Sequence, residues 1–250
     1  MGRFASTVAY YESARPPYGA AFFEAVALEL GLNRSQRLLD VGAGPGILAI
    51  GFAPYCREAL GVDPEPGMVE AARAAAKRAG VAATFVEGRF ESVAAKLGAF
   101  DIVTIGRAIH WLEPEPARAE LARIVVPRGK VLVCGATSVK DGRNPWLGTF
   151  NAVRGRWRGD RPSRDRHGFF ADGPFTRTGA IRLEGTHAVP VERLVERVLS
   201  MSTSSSDRLG DEVPVMMSTM REALAPFAAE GMIEDIVESQ AEVFERLPGQ

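Results

Sequence analysis

Short apolar runs alternate with helix-like segments through the first half of this sequence. The runs lie at residues 37–41, 58–62, 82–86, 100–105 and 130–135, and helix-like segments lie at 47–53, 68–79 and 115–125. Apolar strands of this length that are joined by helices are typical of βαβ units. The pattern therefore predicts an α/β fold with a mostly parallel sheet.

The regions on either side of this core follow the pattern less closely. A helix is predicted at 17–30, because proline suits a first helical turn and Gly31 suits a helix end. The region 137–178 loses the alternation and is predicted to be an irregular or helical insert. The remaining predicted elements are a strand at 180–189, helices at 191–200 and 212–228, and a last strand at 232–246. The two strands among them bring the expected sheet to seven strands.

Bulk composition narrows the classes of partner. The 250 residues carry a net charge of −1 and 46% of them are hydrophobic, so a sizeable core is expected. This balance gives no global attraction to nucleic acid or to an anionic membrane. No signal sequence or membrane span is expected.

Cys56 and Cys134 lack metal-type spacing, so the expected compartment is the reducing cytoplasm. The sequence leaves a homodimer open.

A glycine-rich turn, Asp40-Val41-Gly42-Ala43-Gly44-Pro45-Gly46, follows the first predicted strand and precedes a helix. Glycines in this context let a ligand approach the main chain closely. A dinucleotide loop has the spacing G-x-G-x-x-G, whereas the third glycine here comes one residue early. A buried Asp40 carboxylate would repel a pyrophosphate but could act through water on a cationic amino group. Both points favour an amino-acid-bearing nucleoside over a dinucleotide, and a turn without a ligand is the alternative.

Asp63 stands at the end of the second predicted strand, 23 residues after Asp40. An acid about 20 residues beyond the glycine loop binds ribose in folds of this kind. A carboxylate at that strand tip can accept both ribose hydroxyl hydrogens. The alternative is that Asp63 only caps the following helix.

These features resemble the class I S-adenosylmethionine (SAM)-dependent methyltransferases. The resemblance rests on LLDVGAGPG (38–46), GVDPEPGMVEAAR (61–73), FVEGRFESV (85–93), FDIVTIGRAIHWL (100–112) and PRGKVLVCG (127–135). The segment Tyr10…Arg15-Pro16-Pro17-Tyr18 and the pair His110-Trp111 make the chain most similar to the trans-aconitate methyltransferase-like group. That narrower similarity weakens after residue 136.

The resemblance implies one Rossmann-like domain over residues 1–250, with a mostly parallel seven-stranded sheet flanked by helices. Its parts are an N-terminal lid and helix (1–34), a SAM-binding core (35–136), an insert over the active site (137–178) and the C-terminal part of the sheet (179–250). The implied reaction is methyl transfer to an O, N or C atom of a small molecule, with S-adenosylhomocysteine as product.

The resemblance also implies which residues hold the cofactor. Pro64 packs near the adenosine, Met68 covers one face of the adenine, and the backbone carbonyl of Arg107 meets the methionine arm. Arg15 pairs with the methionine carboxylate, or is a surface arginine beside the proline pair. The full implied set is Arg15, Asp40, Gly42, Ala43, Gly44, Gly46, Asp63, Pro64, Met68, Gly88, Arg89, Phe90 and Arg107.

One implied contact departs from the family pattern. The family usually has an acid after strand three, and this chain has Gly88-Arg89-Phe90 there. Arginine cannot accept a hydrogen bond, so Glu91 or a backbone carbonyl is expected to receive the adenine amino group. Arg89 is then expected to stack on the purine or to pair with Glu91.

His110 is the candidate catalytic residue, because it follows strand four and histidine titrates near neutral pH. It is expected to act as a base or to orient the acceptor, and a purely structural histidine is the alternative. Trp111 is expected to wall the pocket or to fill core. The expected substrate-binding residues are Tyr10, Tyr11, Tyr18, His110, Trp111 and Trp146. No metal is expected.

The stretch 140–170 is rich in arginine. We interpret it as a solvated face, with a lid over a small anionic substrate or an RNA contact as alternatives. Two other functions compete with methyl transfer, namely a non-catalytic SAM-binding regulatory module and an NAD-dependent dehydrogenase. The shortened glycine spacing and Asp40 argue against the dehydrogenase.

Overall fold

The computed structural model describes residues 14–157, 159, 168–171, 173–201 and 203–248. The predicted substrate-binding residues Tyr10 and Tyr11 lie outside these ranges. The chain divides into two compact units. The core unit contains the described residues within 18–135, 163–183 and 239–250, and the second unit contains those within 1–17, 136–162 and 184–238. The predicted single domain with its four parts stays a prediction.

Seven strands form one sheet. Their bounds are β1 Arg37–Val41, β2 Glu58–Asp63, β3 Ala83–Glu87, β4 Phe100–Gly106, β5 Val125–Ser138, β6 Phe175–Pro190 and β7 Met232–Arg246. The strand order is β3-β2-β1-β4-β5-β7-β6. β1 pairs in parallel with β2 and β4, β2 with β3, and β4 with β5. The predicted seven-stranded, mostly parallel sheet is confirmed.

One helix of the described residues precedes β1, and the others lie between the strands. Their bounds are α1 Ala20–Glu29, α2 Ile47–Phe52, α3 Pro66–Ala79, α4 Phe90–Val93, α5 Pro114–Ile124, α6 Trp146–Gly155, α7 Val191–Leu199, α8 Ser206–Leu209 and α9 Val213–Leu224. Among the described residues, no helix has both the length and the apolar character that a bilayer crossing requires.

Local sequence explains where α3 begins and ends. Pro66 occupies its first turn, where a missing N–H costs nothing, and alanines favour its interior. Gly80 caps its C-terminus in the left-handed conformation, at φ 65°. α3 thus begins two residues before the predicted segment, because Pro66 starts a helix instead of preceding one.

The core unit buries both faces of its central strands. In β1 only Arg37 is not buried, and Leu38, Leu39 and Val41 are 0% exposed. This is typical of a parallel strand that is covered by helices on both sides. Leu121 and Ile124 of α5 belong to the same hydrophobic cluster as Leu39. Burial of each such side chain stabilises the fold by about 1.5–3 kcal/mol.

The second unit has a hydrophobic core of its own. Helices α6, α7 and α9 supply most of it, through Trp146, Phe150, Leu194, Val198, Met216, Met220 and Leu224. The predicted insert 137–178 therefore contains an ordered helix, α6, whose apolar side is buried. The predicted helices at 191–200 and 212–228 correspond to α7 and to α9 with a following 3₁₀ turn at Ala225–Phe227.

Two strands are longer than the sequence predicts. β5 begins at Val125, five residues before the expected start, and its register shifts opposite Phe100 and Ile102. The sequence does not predict this part of the strand, because Pro127 and Gly129 normally mark a bulge or a strand edge. β6 begins at Phe175, five residues before its predicted start.

Candidate functional site

The strand order reverses between β1 and β4, and this point defines the candidate site. In open α/β sheets, ligands bind outside the carboxyl ends of the strands at such a switch point. The loops after β1, β2, β3 and β4 all belong to the core unit and carry most of the predicted cofactor residues.

The glycine loop after β1 needs its glycines for two reasons. Gly42 and Gly46 have φ of 66° and 86°, in the left-handed region. A Cβ at Gly42 would lie 2.5 Å from the Cβ of Ala108, and one at Gly46 would lie 2.7 Å from the ring of Phe85. The absence of a side chain at both positions therefore lets the loop pack closely against Ala108 and Phe85. Gly44 also has a positive φ, 54°, and its N–H donates to Asp63.

Asp63 joins the tip of β2 to the glycine loop. Its Oδ2 accepts a hydrogen bond from the Gly44 N–H at 2.8 Å, and its Oδ1 accepts one from the Glu65 N–H at 2.9 Å. Burial raises the pKa of the Asp63 carboxyl above its usual value, while both backbone hydrogen bonds oppose that shift. Each oxygen keeps a second lone pair, so the carboxylate could accept two further donors.

Asp40 lies beneath the loop and is 1% exposed. Its Oδ1 accepts a hydrogen bond from the Thr104 hydroxyl at 2.8 Å, and its Oδ2 accepts one from the Ala49 N–H at 3.3 Å. Burial raises the pKa of this carboxyl to about 7. Thr104 is a partner that sequence reasoning missed, since nothing in the strand pattern distinguishes it from a core residue.

The residue after β4, Arg107, has an unusual backbone. Its φ is 58°, a left-handed value that non-glycine residues adopt rarely. Its N–H donates to the carbonyl of Cys134 at 3.2 Å, and its guanidinium lies 5.1 Å from the centre of the Tyr18 ring. Tyr18 itself is 8% exposed and packs against Phe22 and Phe23. The family resemblance implies Arg107 as a contact, but no local sequence pattern indicates this conformation.

His110 and Trp111 follow on a 3₁₀ turn, Ile109–Trp111. Both side chains are half-buried, and their ring centres lie 4.8 Å apart. The Trp111 N–H donates to the Ala108 carbonyl at 2.8 Å, which fixes the turn. Because Ala108 also lies against Gly42, this turn is packed on the glycine loop.

The loop after β3 resolves one of the alternatives for Arg89. Its guanidinium is exposed and pairs with Glu113 at 3.0 Å and with Glu91 at 3.8 Å. Glu91 also accepts a hydrogen bond from the Glu113 N–H. Gly88 donates its N–H to the Asp63 carbonyl at 3.0 Å. The Glu91 carboxylate thus has two partners and keeps free lone pairs, so Glu91 and a backbone carbonyl both stay candidates for an adenine contact.

The other cofactor residues of the core unit differ in exposure. Met68 and Phe90 are each 3% exposed, and Ala43 is 8% exposed. Pro64 is exposed beside Asp63. Within the described residues, no three His, Cys, Asp or Glu side chains are grouped as metal ligands.

Within the described part of the second unit, two predicted site residues have structural partners. Arg15 donates from Nη2 to the Ser200 carbonyl at 2.7 Å. Trp146 is 1% exposed and its indole N–H donates to the Glu234 carbonyl at 3.0 Å. This burial assigns Trp146 to the hydrophobic core, and we leave it out of the proposed substrate site. The predicted pairing of Arg15 with a methionine carboxylate stays a prediction.

The arginine-rich stretch 140–170 is only partly described. Arg143 is exposed and bonds to Asp141 and Glu184, so acids of the same unit balance its charge. Arg154 is half-buried, with Nη1 2.8 Å from the sulfur of Met201. Arg143 therefore fits the interpretation as a solvated face better than a lid over an anion, whereas Arg154 packs partly inside the second unit.

The amino-acid sequence is similar to those of known methyltransferases. Residues 39–133 match a family model described as a methyltransferase domain. An uncharacterized methyltransferase of Mycobacterium tuberculosis, Rv3342, is 31% identical over 199 residues, which is 80% of this chain and 76% of the relative.

Solved structures show the same fold. The YcgJ protein of Bacillus subtilis has a TM-score of 0.56 and 20% identity, covering 92% of this chain and all of its own. A SAM-dependent methyltransferase of Thiobacillus denitrificans, in complex with S-adenosylhomocysteine, has a TM-score of 0.56 and 14% identity over 98% of this chain and 99% of its own. None of these three proteins is named a trans-aconitate methyltransferase, so that narrower similarity stays a prediction.

Proposed function

This chain belongs to the methyltransferase family of its mycobacterial relative, and we propose that it transfers a methyl group from SAM to an O, N or C atom of a small molecule. The observation that carries the proposal is the Asp63 carboxylate at the end of β2, which accepts hydrogen bonds from the Glu65 N–H and from the Gly44 N–H of the loop at the switch point. The acceptor is proposed to be a small molecule because the near-neutral chain lacks an overall attraction to nucleic acid.

The residues of the core unit fit SAM. Asp63 retains one lone pair on each oxygen, which matches the two hydroxyl hydrogens of a ribose. Asp40, with its carboxylate buried, suits a cationic amino group that it reaches through water. Pro64 and Met68 are proposed to lie at the adenosine, and the Arg107 carbonyl at the methionine arm.

The chemistry needs little from the protein beyond alignment. When SAM is bound, its sulfonium supplies an electrophilic methyl carbon. The protein then has to hold the nucleophile in line and exclude water. His110 and Trp111 follow the end of β4 and are proposed to contact the acceptor there, with Tyr18 nearby against Arg107. The acceptor contacts of Tyr10 and Tyr11, and the N-terminal lid, stay predictions.

A ligand-binding assay separates the candidate functions. Thermal unfolding is followed with SAM, S-adenosylhomocysteine and NAD, because a ligand that binds the folded state raises its apparent stability. We expect stabilisation by the first two and none by NAD. A screen of small metabolites for a mass gain of one methyl group then distinguishes an enzyme from a binding module. Stabilisation by NAD alone would overturn the proposal.

Removal of the Asp63 carboxylate is expected to weaken SAM binding. Asp63→Ala should raise the Kd for SAM about 5- to 150-fold, equivalent to roughly 1–3 kcal/mol, because charged hydrogen bonds to two hydroxyls are lost. Isothermal calorimetry measures the effect. Glu58→Ala is the matched control, since Glu58 is a hydrogen-bonded carboxylate at the opposite end of β2. Equal Kd values for a folded Asp63→Ala variant and the wild type would leave Asp63 as a cap only.

SAM binding is also expected to depend on pH through Asp40. A pKa of about 7 means that the carboxyl is mostly protonated at pH 6 and mostly ionised at pH 8. Binding of an ammonium group favours the ionised form, so affinity should rise about tenfold between these pH values. The pH dependence of the Kd is compared between wild type and Asp40→Asn. Titration of SAM itself is common to both proteins, so identical slopes would remove Asp40 from the site.

The same shift predicts how Asp40 affects stability. Because its folded-state pKa lies above the value in the unfolded chain, the folded state binds more protons between about pH 4 and pH 7. The contribution of Asp40 to stability is therefore lost as pH rises through this window.

A further inference from the structure

We propose that Arg197, held in place by Asp235, is a positioning residue that fixes residues 14–17 and thereby the packing of Tyr18 on Arg107. The proposal deepens the proposed function and rests on it, since Arg107 is there assigned to the methionine arm of SAM. All contacts of the Arg197 cluster lie within the second unit, and the contact of Tyr18 with Arg107 lies within the core unit.

Arg197 of α7 is 4% exposed and has hydrogen-bond partners on three other segments of the chain. Its Nε donates to the Ala14 carbonyl at 2.8 Å. Its Nη1 donates to the Asp235 carboxylate at 3.0 Å and lies 3.2 Å from the Ser138 hydroxyl oxygen. The guanidinium also lies 5.8 Å from the centre of the Trp146 ring. One buried cation thus ties the N-terminal segment to β5 and β7.

The ion pair is not arranged for stability alone. Asp235 is 0% exposed, and its Oδ1 has no hydrogen-bond partner among the described residues. A buried acceptor that is left unsatisfied destabilises the fold, and buried ion pairs are often replaceable by apolar side chains without loss of stability. The specific bond from Arg197 to Ala14 gives the pair a role that an apolar replacement would not supply.

A second arginine completes the attachment from the other side. Arg15 donates to the carbonyl of Ser200, the residue that caps the C-terminus of α7. A cation at this helix end is favoured by the exposed carbonyls and the helix dipole. Consecutive residues, Ala14 and Arg15, are therefore both bonded to the last turn of α7, and Ala14 is 1% exposed.

The chain between this attachment and Tyr18 is stiff. Pro16 and Pro17 each fix φ, and each restricts the residue that precedes it. We therefore expect release of Ala14 to change the backbone that leads into Tyr18. The Tyr18 ring lies over the guanidinium of Arg107, whose backbone is in the left-handed conformation. Release of Ala14 should loosen this packing and weaken SAM binding.

The test is the full-length double variant Arg197→Met/Asp235→Leu. It removes both buried charges together, so the fold is expected to survive, with some loss of stability because the Ala14 carbonyl loses its donor. Amide hydrogen exchange of Ala14, Arg15, Tyr18 and Gly19, which flank the two prolines, is measured without ligand, and the Kd for SAM is measured by calorimetry. We expect at least tenfold faster exchange and a Kd raised about fivefold or more, in the range of ordinary coupling between sites. A change confined to the melting temperature would indicate a structural role only.

Two further variants keep the test decisive. Arg197→Lys retains the charge opposite Asp235 and should loosen residues 14–19 to a smaller extent, even if the double variant fails to fold. Glu192→Gln is the matched control, because it breaks an exposed pair of α7 with Arg221. Wild-type exchange in a folded Arg197 variant would overturn the attachment, and faster exchange with an unchanged Kd would overturn the positioning role. A wild type that does not bind SAM would instead refute the proposed function, because the exchange measurement contains no ligand.

Discussion

The Gly44→Val variant is expected to fold but to bind SAM more weakly by on the order of a hundredfold or more. Valine is a poor residue for a φ of 54°, so the turn must distort or carry strain of about 1–3 kcal/mol. Distortion moves the Gly44 N–H, which donates a hydrogen bond to Asp63 at 2.8 Å. The glycine loop and the carboxylate that is proposed to bind ribose are therefore disturbed together. A branched side chain would also block close approach of a ligand to the main chain.

A second glycine separates ligand binding from general strain. Gly80 has a φ of 65° at the end of α3, and no atom lies within 4 Å of a Cβ placed there. Gly80→Val should therefore incur comparable backbone strain and lower the melting temperature, while the Kd for SAM stays at its wild-type value. Calorimetry on both folded variants measures the difference. A Gly44→Val protein with a Kd within about threefold of the wild type would remove this loop from the cofactor site.

The sequence predicts strand bounds well where the end of an apolar pattern coincides with turn residues. β1 occupies Arg37–Val41 and β7 occupies Met232–Arg246, as predicted, because uninterrupted apolar or alternating patterns end there at turn residues. The start of β5 was missed since Pro127 and Gly129 break the pattern without breaking the strand. α1 begins at Ala20 and not at residue 17, with Gly19 in an extended conformation before it.

The candidate site is predictable only in part. The position of Asp63 follows from its place at a strand end, and its bonds to Gly44 and Glu65 depend on that place. The Thr104 hydrogen bond to Asp40 and the left-handed Arg107 depend on packing between distant segments, which no local pattern encodes. Trp146 is a residue type that often lines pockets, yet its position on α6 places its side chain in the hydrophobic core of the second unit.

His110→Gln is expected to reveal whether this residue removes a proton or orients the acceptor. A base has to be neutral to work, so the chemical rate should rise with pH through the neutral range in which imidazoles ordinarily titrate. Its removal would then lower the chemical rate about 10²- to 10⁴-fold. An orienting residue has a smaller effect on that rate, and its loss mainly raises the KM for the acceptor.

We favour the orienting role, because alignment with an electrophilic methyl carbon limits the reaction more than proton removal does. The measurement is single-turnover methylation from pH 5.5 to 8.5 for the wild type and His110→Gln, at saturating SAM so that titration of Asp40 does not enter. His187→Gln is the control, since His187 lies on the edge strand β6. A wild-type chemical rate that climbs through neutral pH, with a low and flat rate for His110→Gln, would make His110 the base and refute the orienting assignment.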